Sequence, residues 1–245
     1  KFALYTNTLQ AIASGYVIAA VAQTLRSVRV RQLLPFALVA VYALLLACCG
    51  DYSKEGNFAY VFELKLETAL PFIGNTLGGH YTWFLTTLMF GAMTLFGMQA
   101  TELLRSDRAP WRKAGLLAGY GAALLAVGWL LVPVVPMIKQ IFTASFTLQA
   151  MGWSMLAYAA LYVLTDIWKF RRGLGVCILF GQFALTAYMI EEFFKPVAEK
   201  FANMLVHGLP NLIGTPRYQP LIIAVFVVAE IIAVMAIRRR LKYGK

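Results

Sequence analysis

Seven apolar stretches run along this chain, at about residues 4–25, 32–49, 82–104, 112–132, 144–166, 174–194 and 217–237. Each approaches the roughly 20 residues an α-helix needs to cross ~30 Å of hydrocarbon. A segment surrounded by lipid must satisfy its own backbone hydrogen bonds, so all seven read as helices. The expected fold is therefore all-α, a polytopic transmembrane bundle of about seven spans. A chain that is 60% hydrophobic and 13% charged, with mean hydropathy +0.70, is excluded from the water-soluble globules on the same grounds.

The charges set an expected orientation. Lys and Arg gather in every second gap: Arg26/Arg29/Arg31, then Arg105/Arg108/Arg112/Lys113, then Lys169/Arg171/Arg172, and Arg238/Arg239/Arg240/Lys242/Lys245 at the end. These clusters hold 15 of the 22 basic residues, and by the positive-inside rule their gaps are cytoplasmic. The first residue then falls outside and the last inside. Residues 50–81, with Asp51, Lys54, Glu55, Glu63, Lys65 and Glu67, read as an external loop with an interfacial helix. Residues 195–216 read as a second external loop. The net charge of +11 sits at membrane edges, where it meets anionic lipid, so a nucleic-acid partner is not expected. The whole of 1–245 reads as one transmembrane domain, the C-terminal portion of a longer membrane protein.

Polar side chains inside spans need a partner or a wet cavity. Asn7, Gln10 and Ser14 are spaced three and four apart and share one face of the first helix, which meets either a pocket or another helix. Gln182 sits mid-span. Glu191 and Glu192 lie at the outer end of the same span, where a carboxylate could serve as a general base, bind a sugar hydroxyl or amine, or simply pair with Lys195. Glu230, deep in the last span, needs a partner on another helix. The two histidines, His80 and His207, fall in external segments, and His80 precedes Tyr81-Thr82-Trp83, which reads as an interfacial aromatic anchor. Cys48, Cys49 and Cys177 show no metal-ligand spacing and read as buried, inert thiols. No zinc motif, phosphate-binding glycine loop or serine nucleophile turn is present, so no metal is expected and soluble-enzyme chemistries are disfavoured.

Several motifs carry a resemblance. Leu9-Gln10-Ala11-Ile12-Ala13-Ser14-Gly15-Tyr16 is similar to an L-Q-R-I-x-x-x-Y helix, with Ala11 in place of arginine. Pro136-Met137-Ile138-Lys139-Gln140-Ile141-Phe142-Thr143-Ala144-Ser145-Phe146 is similar to P-x-x-K-x-x-W-T-x-S-F, and the fifth span ends at Thr165-Asp166. Tyr188 to Glu192 occupies the place of Y-x-x-H-E, with Glu191 where histidine is expected. These segments resemble the membrane acetyltransferases typified by heparan-α-glucosaminide N-acetyltransferase and its bacterial relatives. The resemblance implies a multi-pass protein of the bacterial inner membrane that moves an acetyl group from cytoplasmic acetyl-CoA to an amino sugar or saccharide on the outer face. It places the family's own catalytic histidine in a span upstream of Lys1.

On that reading Glu191 and His80 are the catalytic candidates. Asn7, Gln10, Lys139, Thr143, Ser145, Gln182 and Glu192 are candidates for substrate binding, and Arg105, Arg108 and Arg172 for the CoA phosphates. Plainer roles stand beside these: the arginines set topology, Lys139 to Ser145 form a structural turn, and Thr143 caps the helix after it. A sugar or amino-sugar transporter is the alternative function, because embedded amides and broken helices serve both. A non-catalytic scaffold is the third, and a homodimer is open.

Overall fold

The computed structural model describes residues 8–53, 55–70, 83–170, 172, 174–186, 188, 200, 204, 225, 228–229, 232–237 and 239–240. Its elements are α1 (Thr8–Gln23), α2 (Val28–Cys49), α3 (Phe58–Ala69), a 3-10 turn (Phe84–Thr86) leading into α4 (Thr87–Arg105), α5 (Pro110–Leu131), α6 (Ala144–Tyr162) with a π turn (Val163–Ile167), and α7 (Gly175–Gln182). No strand occurs among the described residues.

Val28–Cys49, Phe84–Arg105, Pro110–Leu131 and Ala144–Ile167 are long and apolar enough to cross a membrane. The architecture is that of a helical membrane protein, and these four fall on the second to fifth expected spans. The 16 residues of α1 reach only about 24 Å at 1.5 Å per residue. Residues 187 and 189–194 of the sixth expected span and most of the seventh, with Glu230, lie outside the described residues, as does His207.

Local chemistry explains the boundaries. α2 begins at Val28, ahead of the expected position, because the Ser27 hydroxyl accepts from the Val30 N–H at 3.4 Å and caps the first turn. Pro110 opens α5 in the first turn, where its missing N–H costs nothing. Lys113 Nζ donates to the Leu104 carbonyl at 2.9 Å, satisfying one of the acceptors that the end of α4 leaves open. Pro35 interrupts the ladder of α2, and Gln99 Nε2 donates to the nearby Gln32 carbonyl at 2.9 Å.

The helix expected within 50–81 is α3, capped by Asn57, whose Oδ1 accepts from the Tyr60 N–H at 2.9 Å. Its Glu63 is buried and accepts from the Phe84 N–H at 3.0 Å, tying α3 to the start of the helix that follows. That tie overturns the expectation for Trp83. Only 4% exposed, its ring belongs to the core that includes Tyr42, Leu46, Met89 and Phe96, and is not an interfacial anchor. The cysteines also depart from expectation: Cys48, Cys49 and Cys177 are free and exposed. On α2 the buried positions are Pro35, Val39, Tyr42 and Leu46, so helical periodicity turns Cys48 and Cys49 outward.

By its internal contacts the chain divides into two compact units, 1–169 and 170–245. In the first, α4 packs against α1 and α2, and α5 lies along α6. In the second, Leu179 and Phe183 pack with Met235. Lys169 has φ 58°, a left-handed conformation that a side chain disfavours. Lys169→Gly should stabilise the protein by about 0.5–1 kcal/mol, the part of that cost left after glycine's extra chain freedom is counted. A detergent-unfolding midpoint that does not rise would show that Lys169 carries no such cost.

Candidate functional site

Two clefts flank the end of α4 that carries the basic residues. Along the first, Gly15 brings α1 against α4: a methyl there would lie 2.9 Å from the Phe90 carbonyl oxygen. Further along, the helices leave a cleft of about 810 Å³ walled by Ile12, Tyr16, Phe90, Met93 and Met98. Gln23, Thr101, Glu102 and Arg105 also line it. Gly97 lines it too, and a methyl at Gly97 would meet nothing within 4 Å. The volume lies in the range of small-molecule sites, ~300–1,000 Å³.

The second cleft, about 510 Å³, lies among α2, α4 and α5 and carries Gln32, Gln99, Glu102, Ser106 and Arg108. Glu102 thus faces both. Its Oε1 stands 3.5 Å from Arg31 Nη2, with the two side chains 46% and 26% exposed. A pair this open to its surroundings contributes at most about 1 kcal/mol. Its main effect is to hold the Glu102 carboxylate, which lines both clefts. Gln99 is committed, donating to Gln32 and accepting from the Tyr120 hydroxyl at 2.6 Å.

No family model matches this chain, and neither does any curated protein or solved structure. The site's chemistry stands on its own residues.

Among the expected phosphate-binding arginines, Arg105 lines the first cleft and Arg108 the second, while Arg172 is an exposed residue of the second unit. On α1 the described wall of the first cleft takes Ile12, Tyr16 and Gln23, not Gln10 or Ser14. The Ser14 hydroxyl donates to the Ala11 carbonyl at 2.7 Å. Gln182 ends α7 in the second unit, and Lys139 is exposed. Asn7, His80, Glu191 and Glu192 lie outside the described residues.

Thr143 and Ser145 are both fully buried. Thr143 precedes α6 but makes no side-chain cap to it. Its hydroxyl accepts instead from the Ile138 N–H at 3.1 Å and meets the Ser145 hydroxyl at 3.2 Å, which in turn donates to the Pro136 carbonyl at 3.2 Å. Phe142, at φ 48°, makes the sharp reversal that brings these groups together. The pair closes a turn.

Glu102 and Gln99 were not among the expected site residues. Glu102 stands three residues before Arg105, one helical turn away, and that acid beside a basic cluster was the available signal. Gln149 was missed as well: it is 4% exposed, and its buried Nε2 has no hydrogen-bond partner among the described residues.

Proposed function

We propose that this chain belongs to a membrane acyltransferase of the kind its motifs resemble, moving an acetyl group from cytoplasmic acetyl-CoA to an amino sugar or saccharide on the outer face of the bacterial inner membrane. The observation that supports this reading is the α1–α4 cleft, whose walls are largely apolar and whose lining includes Arg105 beside Gln23 and Thr101. A CoA ester has the complementary distribution: phosphates at one end that a guanidinium binds with charge-assisted hydrogen bonds, and a long, weakly polar arm at the other. In the chemistry proposed, the acceptor's amine or hydroxyl attacks the thioester carbonyl, the C–S bond breaks, and CoA leaves as the thiolate. Glu191 or His80 takes the acceptor's proton.

The test is acetyl transfer by the full chain in vesicles, with labelled acetyl-CoA outside the basic face and a panel of amino sugars on the other. Arg105→Ala should raise the KM for acetyl-CoA about tenfold, a loss of ~1.4 kcal/mol, with kcat little changed. Gly97→Phe should block the donor by filling the cleft, because its first atoms meet open space. Uptake of unmodified sugar with no acetylated product would replace the enzyme with the transporter.

A further inference from the structure

Two cavities of different polarity meet on the α2–α5 side of the first unit. One, about 520 Å³, lies between α2, α5 and α6 and is walled by aliphatic side chains, among them Val39, Leu44, Leu124 and Val127. The other is the polar second cleft, with Arg108, Gln32 and Glu102. Phe36 and Tyr120 wall both, so the two adjoin along an aromatic seam and together make one channel-like groove. Tyr120 is oriented accordingly: its ring stands 6.4 Å from that of Phe36, and its hydroxyl points to the polar side, onto Gln99.

The channel follows the helices. On α5 its wall takes Leu116, Tyr120, Leu124, Val127 and Leu131, one face of the helix, over about 22 Å at 1.5 Å per residue. That exceeds the ~15 Å depth of one hydrocarbon leaflet. Phe36, Leu44 and Val127 are 40%, 63% and 48% exposed, so the apolar part opens sideways on helices of membrane-crossing length, where hydrocarbon is the surrounding medium. The polar part is lined by Arg108, which belongs in sequence to the basic cluster Arg105, Arg108, Arg112 and Lys113.

We infer that the channel binds one anionic phospholipid, with an acyl chain lying between α2 and α5 and the phosphate against the Arg108 guanidinium and the Gln32 amide. Glu102, the carboxylate among the described lining residues, is paired with Arg31. A zwitterionic lipid would bring its own cation to a basic cluster and gain less. This site shares Glu102 with the α1–α4 cleft but lies on the other side of α4, and the inference does not depend on the acyltransferase reading.

Native mass spectrometry of the full chain, released from nanodiscs of equal parts phosphatidylglycerol and phosphatidylcholine, tests this. One phosphatidylglycerol should remain bound. Arg108→Ala should cut that preference about tenfold and Arg108→Lys should keep most of it. Ala123→Phe, which fills the groove from an exposed position on its wall, should remove the retained lipid, whereas Ala126→Phe, outside the groove, should not. Equal retention of the two lipids by the wild type, an unchanged preference in Arg108→Ala, or displacement by free glycerol phosphate would each overturn the site.

Discussion

Gly152→Leu should cost the folded protein about 3 kcal/mol, the upper end of what overpacking a close contact does. A methyl at Gly152 would lie 2.8 Å from the Gly121 carbonyl oxygen and 2.9 Å from the Leu125 amide nitrogen. Facing it, a methyl at Gly121 would lie 2.9 Å from the Gly152 carbonyl oxygen. These are backbone atoms, which cannot rotate aside, so any side chain forces α5 and α6 apart. In lipid there is no hydrophobic drive between helices to restore the contact, and dispersion along two facing surfaces falls away together. Gly119→Leu is the control, because a methyl at Gly119 meets nothing within 4 Å. Unfolding by SDS in mixed micelles should show a large loss for Gly152→Leu and a change within about 0.5 kcal/mol for Gly119→Leu. Equal losses would mean that the two helices are not held by this contact.

Much of that packing framework was legible in the sequence, because length and hydropathy report directly on the solvent. Four apolar stretches became crossing-length helices, and α5 starts at Pro110, two residues ahead of the expected 112. The faces of the helices were not legible. Gln10 and Ser14 share a side of α1, yet periodicity says nothing about what that side meets, and Ser14 satisfies itself on the preceding turn. Glu102 escaped because its partner, Arg31, belongs to another hairpin and leaves no local trace. Trp83 misled for a related reason: an aromatic at the edge of a span suits the interface, but the Glu63 link draws its segment under α3 and the ring into the core. Cys48 and Cys49 were read from hydropathy alone, which in a bilayer does not distinguish a residue facing lipid from one facing protein.

Thr143→Val should destabilise the protein by about 2 kcal/mol although it changes almost no volume, since an orphaned buried donor costs ~1–3 kcal/mol. The hydrogen bonds run in one direction, from the Ile138 N–H to the Thr143 hydroxyl, on to the Ser145 hydroxyl, and finally to the Pro136 carbonyl. Valine can neither accept the first nor donate the second, and the burial of both side chains leaves no water to substitute. The same turn is held from α2, where the Tyr42 hydroxyl donates to the Ile141 carbonyl at 2.7 Å. Because each hydroxyl polarises the next, Thr143→Val and Ser145→Ala should not be additive, and a double-mutant cycle should give a coupling of about 0.5–1 kcal/mol. Thr143→Ser, which keeps the relay, should lose far less than Thr143→Val. The measurement also separates the two roles open to this motif. A turn that positions α6 loses stability while activity per folded molecule holds, whereas hydroxyls that touch the acceptor would raise its KM in Thr143→Val with the unfolding midpoint unchanged. Their complete burial and their bonds to the backbone of the turn favour the first outcome, and the second would require the turn to open before the acceptor could bind.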